Sequence, residues 1–118
     1  MIRFVHCVKA LPELPAADFR RYLRGDELAR LMDQMALLSQ AVEYKISLTL
    51  QIEANLGLMQ ERGGAQPFDA LIEVWWESGQ NLMQQARAAE FQDLMRQMED
   101  FQRQFVDFSR SSRFFVEE

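Results

Sequence analysis

Only one side chain in this sequence titrates near neutral pH, the imidazole of His6, and only one carries a thiol, its neighbour Cys7. Histidine is the usual proton carrier of acid–base chemistry, so His6 is the candidate general acid or base. The plainer alternative is a half-buried strand histidine bonded to a carbonyl or a tyrosine. A Cys–His nucleophilic pair is poorly supported, because neighbours in a strand project to opposite faces. The same divergence stops them sharing an ion, and no loop clusters carboxylates, so neither a metal nor another cofactor is expected. Cys7 reads as a small buried thiol. Gly63-Gly64 lacks the lysine and strand–turn context of a phosphate loop.

A second set of candidates would bind rather than react. Tyr22, Tyr44 and Trp76, with Met32 and Met35, are placed to line a cavity between helices and sheet, although aromatics at such spacing also serve as plain core. Arg20, Arg21 and Arg24 stand among acids and read as a solvated or ion-paired face. Asp69, at a strand start, is either a turn acid or a pocket residue.

The elements that must position these groups follow from periodicity. Ile2–Lys9 is rich in β-branched and aromatic residues and reads as a strand closed by Leu11-Pro12. Pro15 can open a helix, and the apolar phase slips at Gly25-Asp26, giving helical pieces over 15–24 and 27–38 with Asp26 as cap. Val42, Tyr44, Ile46, Leu48, Leu50 and Ile52 alternate with polar residues, which predicts a long strand over Val42–Ile52. Residues 55–67 hold three glycines and Pro67 and read as a loop, with room for a helical turn at 58–60. Phe68–Glu77 is a third strand, Ser78 a helix cap, and 80–108 one helix or two. Ser112–Glu117 closes the chain as a strand.

That order predicts one α+β domain over 1–118: a ferredoxin-like antiparallel four-stranded sheet with helices on one face. The uncovered face would carry Leu71 and Trp75 with either Val5 and Cys7 or Phe4 and His6. Apolar groups of that size are rarely left in water. A two-fold partner would bury them, with Val42–Ile52 as an edge strand serving that partner, so a homodimer is expected.

Composition sets the outer bounds. At 118 residues, 48% apolar and 26% charged, the chain is ordinary globular material long enough for a real core. A formal charge of −5 argues against nucleic acid and anionic membrane surfaces as partners. No apolar run reaches the ~20 residues of a membrane span. A single cysteine and an N-terminus that goes straight into strand-like sequence lead to a cytoplasmic expectation.

Three segments carry a family resemblance. Pro67-Phe68-Asp69-Ala70-Leu71-Ile72-Glu73-Val74-Trp75-Trp76-Glu77-Ser78 resembles the third-strand signature of EthD-domain proteins. Phe105–Ser111 with the closing Phe115-Val116-Glu117-Glu118 resembles their last helix and strand, and Lys9, Pro15 and Asp18–Tyr22 fit their opening. The resemblance implies a dimeric α/β barrel, catabolic or polyketide-type settings, and small, often aromatic or hydrophobic substrates. Members are loosely grouped with oxidoreductases, and some relatives are cofactor-free enzymes. The sequence departs from the family at two places. The early His-Pro is replaced by Arg24-Gly25-Asp26-Glu27-Leu28, and the Asn-His after the second strand is missing from Gln51–Asn55. No family histidine carries over. Two readings stay open: an enzyme or ligand-handling protein using His6 and Tyr44, and a non-catalytic binding or accessory dimer whose activity has been lost.

Overall fold

The computed structural model describes all 118 residues. Its strands are β1 (Ile2–Val8), β2 (Glu43–Leu48), β3 (Ala70–Trp76) and β4 (Ser112–Glu117). Its helices are α1 (Ala16–Arg24), α2 (Asp26–Ser39), α3 (Glu53–Glu61), α4 (Gly79–Ala86) and α5 (Ala89–Gln102), with a short 3₁₀ turn at Phe108–Arg110. The sheet order is β2-β3-β1-β4, with every pair antiparallel, which is the expected ferredoxin-like arrangement. No helix is long and apolar enough to cross a membrane.

One sheet face is sealed and the other is not. Along β3, Ala70, Ile72, Val74 and Trp76 are buried, while Leu71, Glu73 and Trp75 between them are only half-buried. The buried set packs against Leu28, Leu31, Met32 and Met35 of α2 and against Leu94 and Met98 of α5. Pairing of Arg3 with Trp75, Val5 with Glu73 and Cys7 with Leu71 resolves the parity of β1. Val5 and Cys7 join the open face, and Phe4 and His6 the helix face. Phe114 and Val116 of β4 extend the open face, where Arg3 bridges Glu73 at 3.2 Å and covers the Trp75 ring at 5.7 Å.

Gly25 separates the first two helices. It adopts extended backbone there, ending α1 and preceding α2, and a Cβ on it would stand 2.9 Å from the Arg21 carbonyl oxygen. Asp26 therefore begins α2 inside the first turn instead of capping it through its side chain. The 80–108 question resolves to two helices. The chain extends at Ala88, where α4 ends and α5 begins without any glycine or proline.

The second strand is shorter than its alternation predicts. It ends at Leu48, and Leu50 and Ile52 are exposed. The ladder runs out of partners: Leu48 pairs with Ala70, the Thr49 amide donates to the Asp69 carbonyl, and Pro67 lies just beyond. The apolar side chains that do lie in β2 (Tyr44, Ile46 and Leu48) face the same side as Val74, Ile72 and Ala70. They serve this chain's own core. β2 is an edge strand as expected, but its length is ordinary and does not argue for a partner. Residues 53–61, read as mostly loop, form α3, which buries no residue.

Trp76 is fixed by one polar contact in the core. Its indole N–H donates to Ser39 Oγ at 3.0 Å, and the Ser39 hydroxyl donates to the Met35 carbonyl at 2.7 Å. Ser39 is fully buried. Ser39→Ala leaves the indole N–H without a partner and should cost about 1–3 kcal/mol. Urea denaturation should show a lowered midpoint with an unchanged slope.

Candidate functional site

The helix layer stops short of β4. Phe115 lies on the helix side of the sheet, paired with Phe4, yet is 55% exposed. Between that edge, α4 and α5 lies a chamber of about 370 Å³. Its sheet floor carries a run of rings: Trp76 and Phe115 at 6.3 Å, Phe115 and Phe4 at 5.4 Å, Phe4 and His6 at 6.4 Å. Leu82 and Ala86 of α4, with Phe91 of α5, form the opposite wall. Five of the chain's seven methionines also line it: Met32, Met35, Met83, Met95 and Met98. Thioether side chains on that scale make a wall that adapts its shape.

A second, polar hollow of about 640 Å³ is lined by Arg96, Glu99, Ser111 and Ser112. It shares His6, Met95, Gln102 and Arg113 with the chamber, so the two adjoin. The apolar space thus has a polar border at that end, its mouth.

His6 sits where the two meet. It is 3% exposed, and its ring takes part in no hydrogen bond within the chain. Burial, assisted by the Arg113 guanidinium, lowers its pKa to about 4. The imidazole is therefore neutral at pH 7, able to accept or donate one hydrogen bond. Arg113 is its direct neighbour across the β1–β4 ladder. Gln102, 8% exposed, also directs a side chain here that bonds to nothing in the protein.

The other expected site residues are divided. Trp76 shares the chamber with His6. Tyr22 does not: it stacks on Phe105 at 4.8 Å, donates to Gln104 at 3.3 Å, and borders a separate hollow beside Asp18 and Arg21. Tyr44 lines neither hollow, and its phenol donates to Asp33 at 2.6 Å. That bond, with burial, pushes its pKa up to about 12, so the hydroxyl keeps its proton. Met32 and Met35 do line the chamber. Cys7 points to the open face, and burial together with nearby Glu73 pushes its thiol pKa up, away from nucleophilic use. Asp69 is a structural turn acid: its carboxylate accepts from the Ala10 amide at 2.7 Å. Arg21 pairs with Asp18 at 2.5 Å.

Sequence reading passed over Arg113, Gln102, Met95 and Phe115. Arg113 was findable. In a ferredoxin-like order the last strand flanks the first, and the alternation of Arg113 and Phe115 then puts both on one face. Gln102 gave no signal, because a glutamine at the end of a helix is ordinary surface.

The whole architecture is matched by solved structures. A dimeric protein of unknown function with a ferredoxin-like fold from Bacteroides fragilis aligns with a TM-score of 0.62 at 6% identity, over 99% of this chain and 95% of its own. An ethyl tert-butyl ether D (EthD) family protein from Bacillus halodurans aligns with a TM-score of 0.62 at 15% identity, over 100% of this chain and 98% of its own. HapK from Hahella chejuensis aligns with a TM-score of 0.56 at 10% identity, over 100% of this chain and 92% of its own. No family model matches the sequence, and no curated protein does. At these identities the likeness establishes a shared fold: the chain has the ferredoxin-like architecture of an EthD family protein, as its sequence resemblance implied.

The buried imidazole makes stability depend on pH. His6 titrates near 6.5 when unfolded and near 4 when folded, so the unfolded chain binds the extra proton between those values. Its contribution is whole above about pH 6.5 and is lost as pH falls toward 4. Paired denaturation curves of wild type and His6→Phe should therefore diverge most in slope across that window. As the chain's only histidine, His6 should give a single imidazole NMR titration with a midpoint near 4.

Proposed function

We propose that this protein binds a small hydrophobic, ring-bearing organic molecule in the chamber between β4 and α4–α5, and acts on it without a cofactor. One observation carries the reading: an apolar chamber of ligand size with a neutral, unpartnered imidazole at the end where it meets the polar hollow. Trp76, Phe91 and the methionines supply contact area, and His6 is the group able to take a proton. A base with so low a pKa suits an acidic proton better than an unactivated one. The EthD-like fold is in keeping with this, and an oxidoreductase role in the cytoplasm is the finer version of the same reading.

A second reading, of a binding or accessory protein without turnover, is favoured by the absence of the family histidines from 24–28 and 51–55. It uses the same chamber. In both readings the working unit is a homodimer formed through the open sheet face, where Trp75, Leu71 and Phe114 lie without a helix layer; the B. fragilis structure of like fold is dimeric.

Ligand screening by thermal shift should find ring-bearing apolar compounds that raise Tm, since a ligand bound only to the native state stabilises it. Ala86→Trp, which fills the chamber, should abolish the shift. For any compound found to turn over, His6→Gln should lower kcat by about 10²-fold or more. Unchanged turnover would end the acid–base role of His6. The pH profile should be level near neutrality and fall toward pH 4, with Arg113, Arg96 and Glu99 as the charged groups facing the ring. Light scattering should give twice the chain mass, and Phe114→Glu, on the open face, should give the monomer.

A further inference from the structure

The mouth of the chamber contains one charge without a counterpart. Arg96 is paired with Asp93, and Glu99 with Arg103 at 3.7 Å. Arg113 makes no ion pair and no side-chain hydrogen bond, although the chain as a whole carries five excess negative charges. It stands opposite His6 in the β1–β4 register and lines both the chamber and its polar mouth. Cross-strand neighbours sit about 5 Å apart at Cβ, so guanidinium and imidazole address the same small volume.

Gln102 reaches that volume from the opposite wall. His6 and Gln102 are largely buried residues whose polar atoms stay accessible to the cavity, and with the exposed cation Arg113 they converge on one volume without a partner from the protein. A ligand there can take over the hydrogen bonds that water otherwise makes to them.

We propose that Arg113, His6 and Gln102 form the anion-recognising end of the chamber. The ligand class is then an aromatic molecule bearing one acidic oxygen group, a carboxylate or an ionised enol or phenol. Its rings lie among Trp76, Phe91 and the methionines, and its oxygen lies on Arg113. This deepens the ligand-chamber reading above and rests on it. The polarity of the site decides among ligand types. A cationic ligand meets the unpaired Arg113, and the one carboxylate lining the mouth, Glu99, is shared with Arg103 at 3.7 Å in a solvent-exposed pair. A polyphosphate needs more than one free cation at the mouth. A monoanion with an apolar body satisfies both halves of the site. A planar guanidinium holds a carboxylate through two parallel bonds, whereas the neutral imidazole and the amide of Gln102 can each donate to a remaining lone pair. A bound anion also offsets the repulsion that Arg113 exerts on a protonated His6, which makes the imidazole a better proton acceptor with ligand than without.

The test uses two probes of one shape, 2-naphthoate and its neutral isostere 2-naphthamide, titrated calorimetrically into the full chain. Wild type should bind the carboxylate at least about tenfold more tightly than the amide, the scale of one charge-assisted hydrogen bond. Arg113→Gln should erase that preference while leaving the amide's affinity as it was, and Arg113→Lys should keep part of it. Arg96→Gln should keep all of it. Loss of the preference in Arg96→Gln as well would reveal a diffuse field and overturn the assignment to Arg113. Equal affinity for both probes in wild type, with both weakened by Ala86→Trp, would overturn the anion site and leave the chamber reading standing. Failure of both probes to bind would overturn the two together.

Discussion

β1 is paired on both sides, and the parity of those two ladders assigns its side chains, with those of β3 and β4 beside them, to one of two environments. His6, level with Ile72 and Arg113, goes to the helix layer; Cys7, level with Leu71 and Ser112, goes to the open face. A slip of one residue would exchange them, placing a thiol in the chamber and the imidazole on the outer face. The register is locked at one end by backbone and side chain together. The Asp69 amide donates to the Val8 carbonyl at 2.7 Å, while the Asp69 carboxylate accepts from Ala10. The Lys9 amide donates to Ser111 Oγ at 2.9 Å, tying the start of β4 to the end of β1. A few main-chain hydrogen bonds thus decide which chemistry faces which space.

The site runs against the economy of the rest of the core. Trp76, Ser39 and Met35 form a closed chain in which the indole and the hydroxyl each find a partner, as buried polar groups normally do. A few residues away His6 and Gln102 find none. Their polar atoms stay accessible instead, at the place where the helix layer gives out and an apolar space opens beside them. Departures from local consistency are expected where a protein works on something other than itself. Burial, assisted by Arg113, keeps the imidazole neutral, and Arg113 itself stands exposed and unpaired beside it.

Most of the architecture was legible because it rests on periodicity. β1, β3 and β4, the two-helix reading of 15–38 and the ferredoxin-like order all follow from where apolar residues fall along the chain. β2 was overextended because alternation in Leu50 and Ile52 continues after the partner strand has ended, and a single sequence does not show where a neighbour stops. α3 was read as mostly loop because Gly57, Gly63, Gly64 and Pro67 crowd residues 55–67, and the helix that forms there has no buried face. The site was half legible. His6 and Trp76 were identifiable by type, but their company is tertiary: Tyr22 and Tyr44 are equally aromatic and lie elsewhere. What separates them is which strand lies beside which, and Arg113 becomes visible only once β4 is placed against β1.

α3 is held to the domain by very little. A nine-residue helix without a buried face cannot persist on its own propensity, because helices shorter than about 12 residues are marginal in water. Leu50, Ile52, Leu56 and Leu58 all stand exposed beside or within it. Its opening exposes no core and so uncouples from global unfolding. The segment therefore behaves as a separate dynamic unit, whose amides exchange with solvent long before those of β1 and β3. It is also where insertions and sequence drift cost the molecule least.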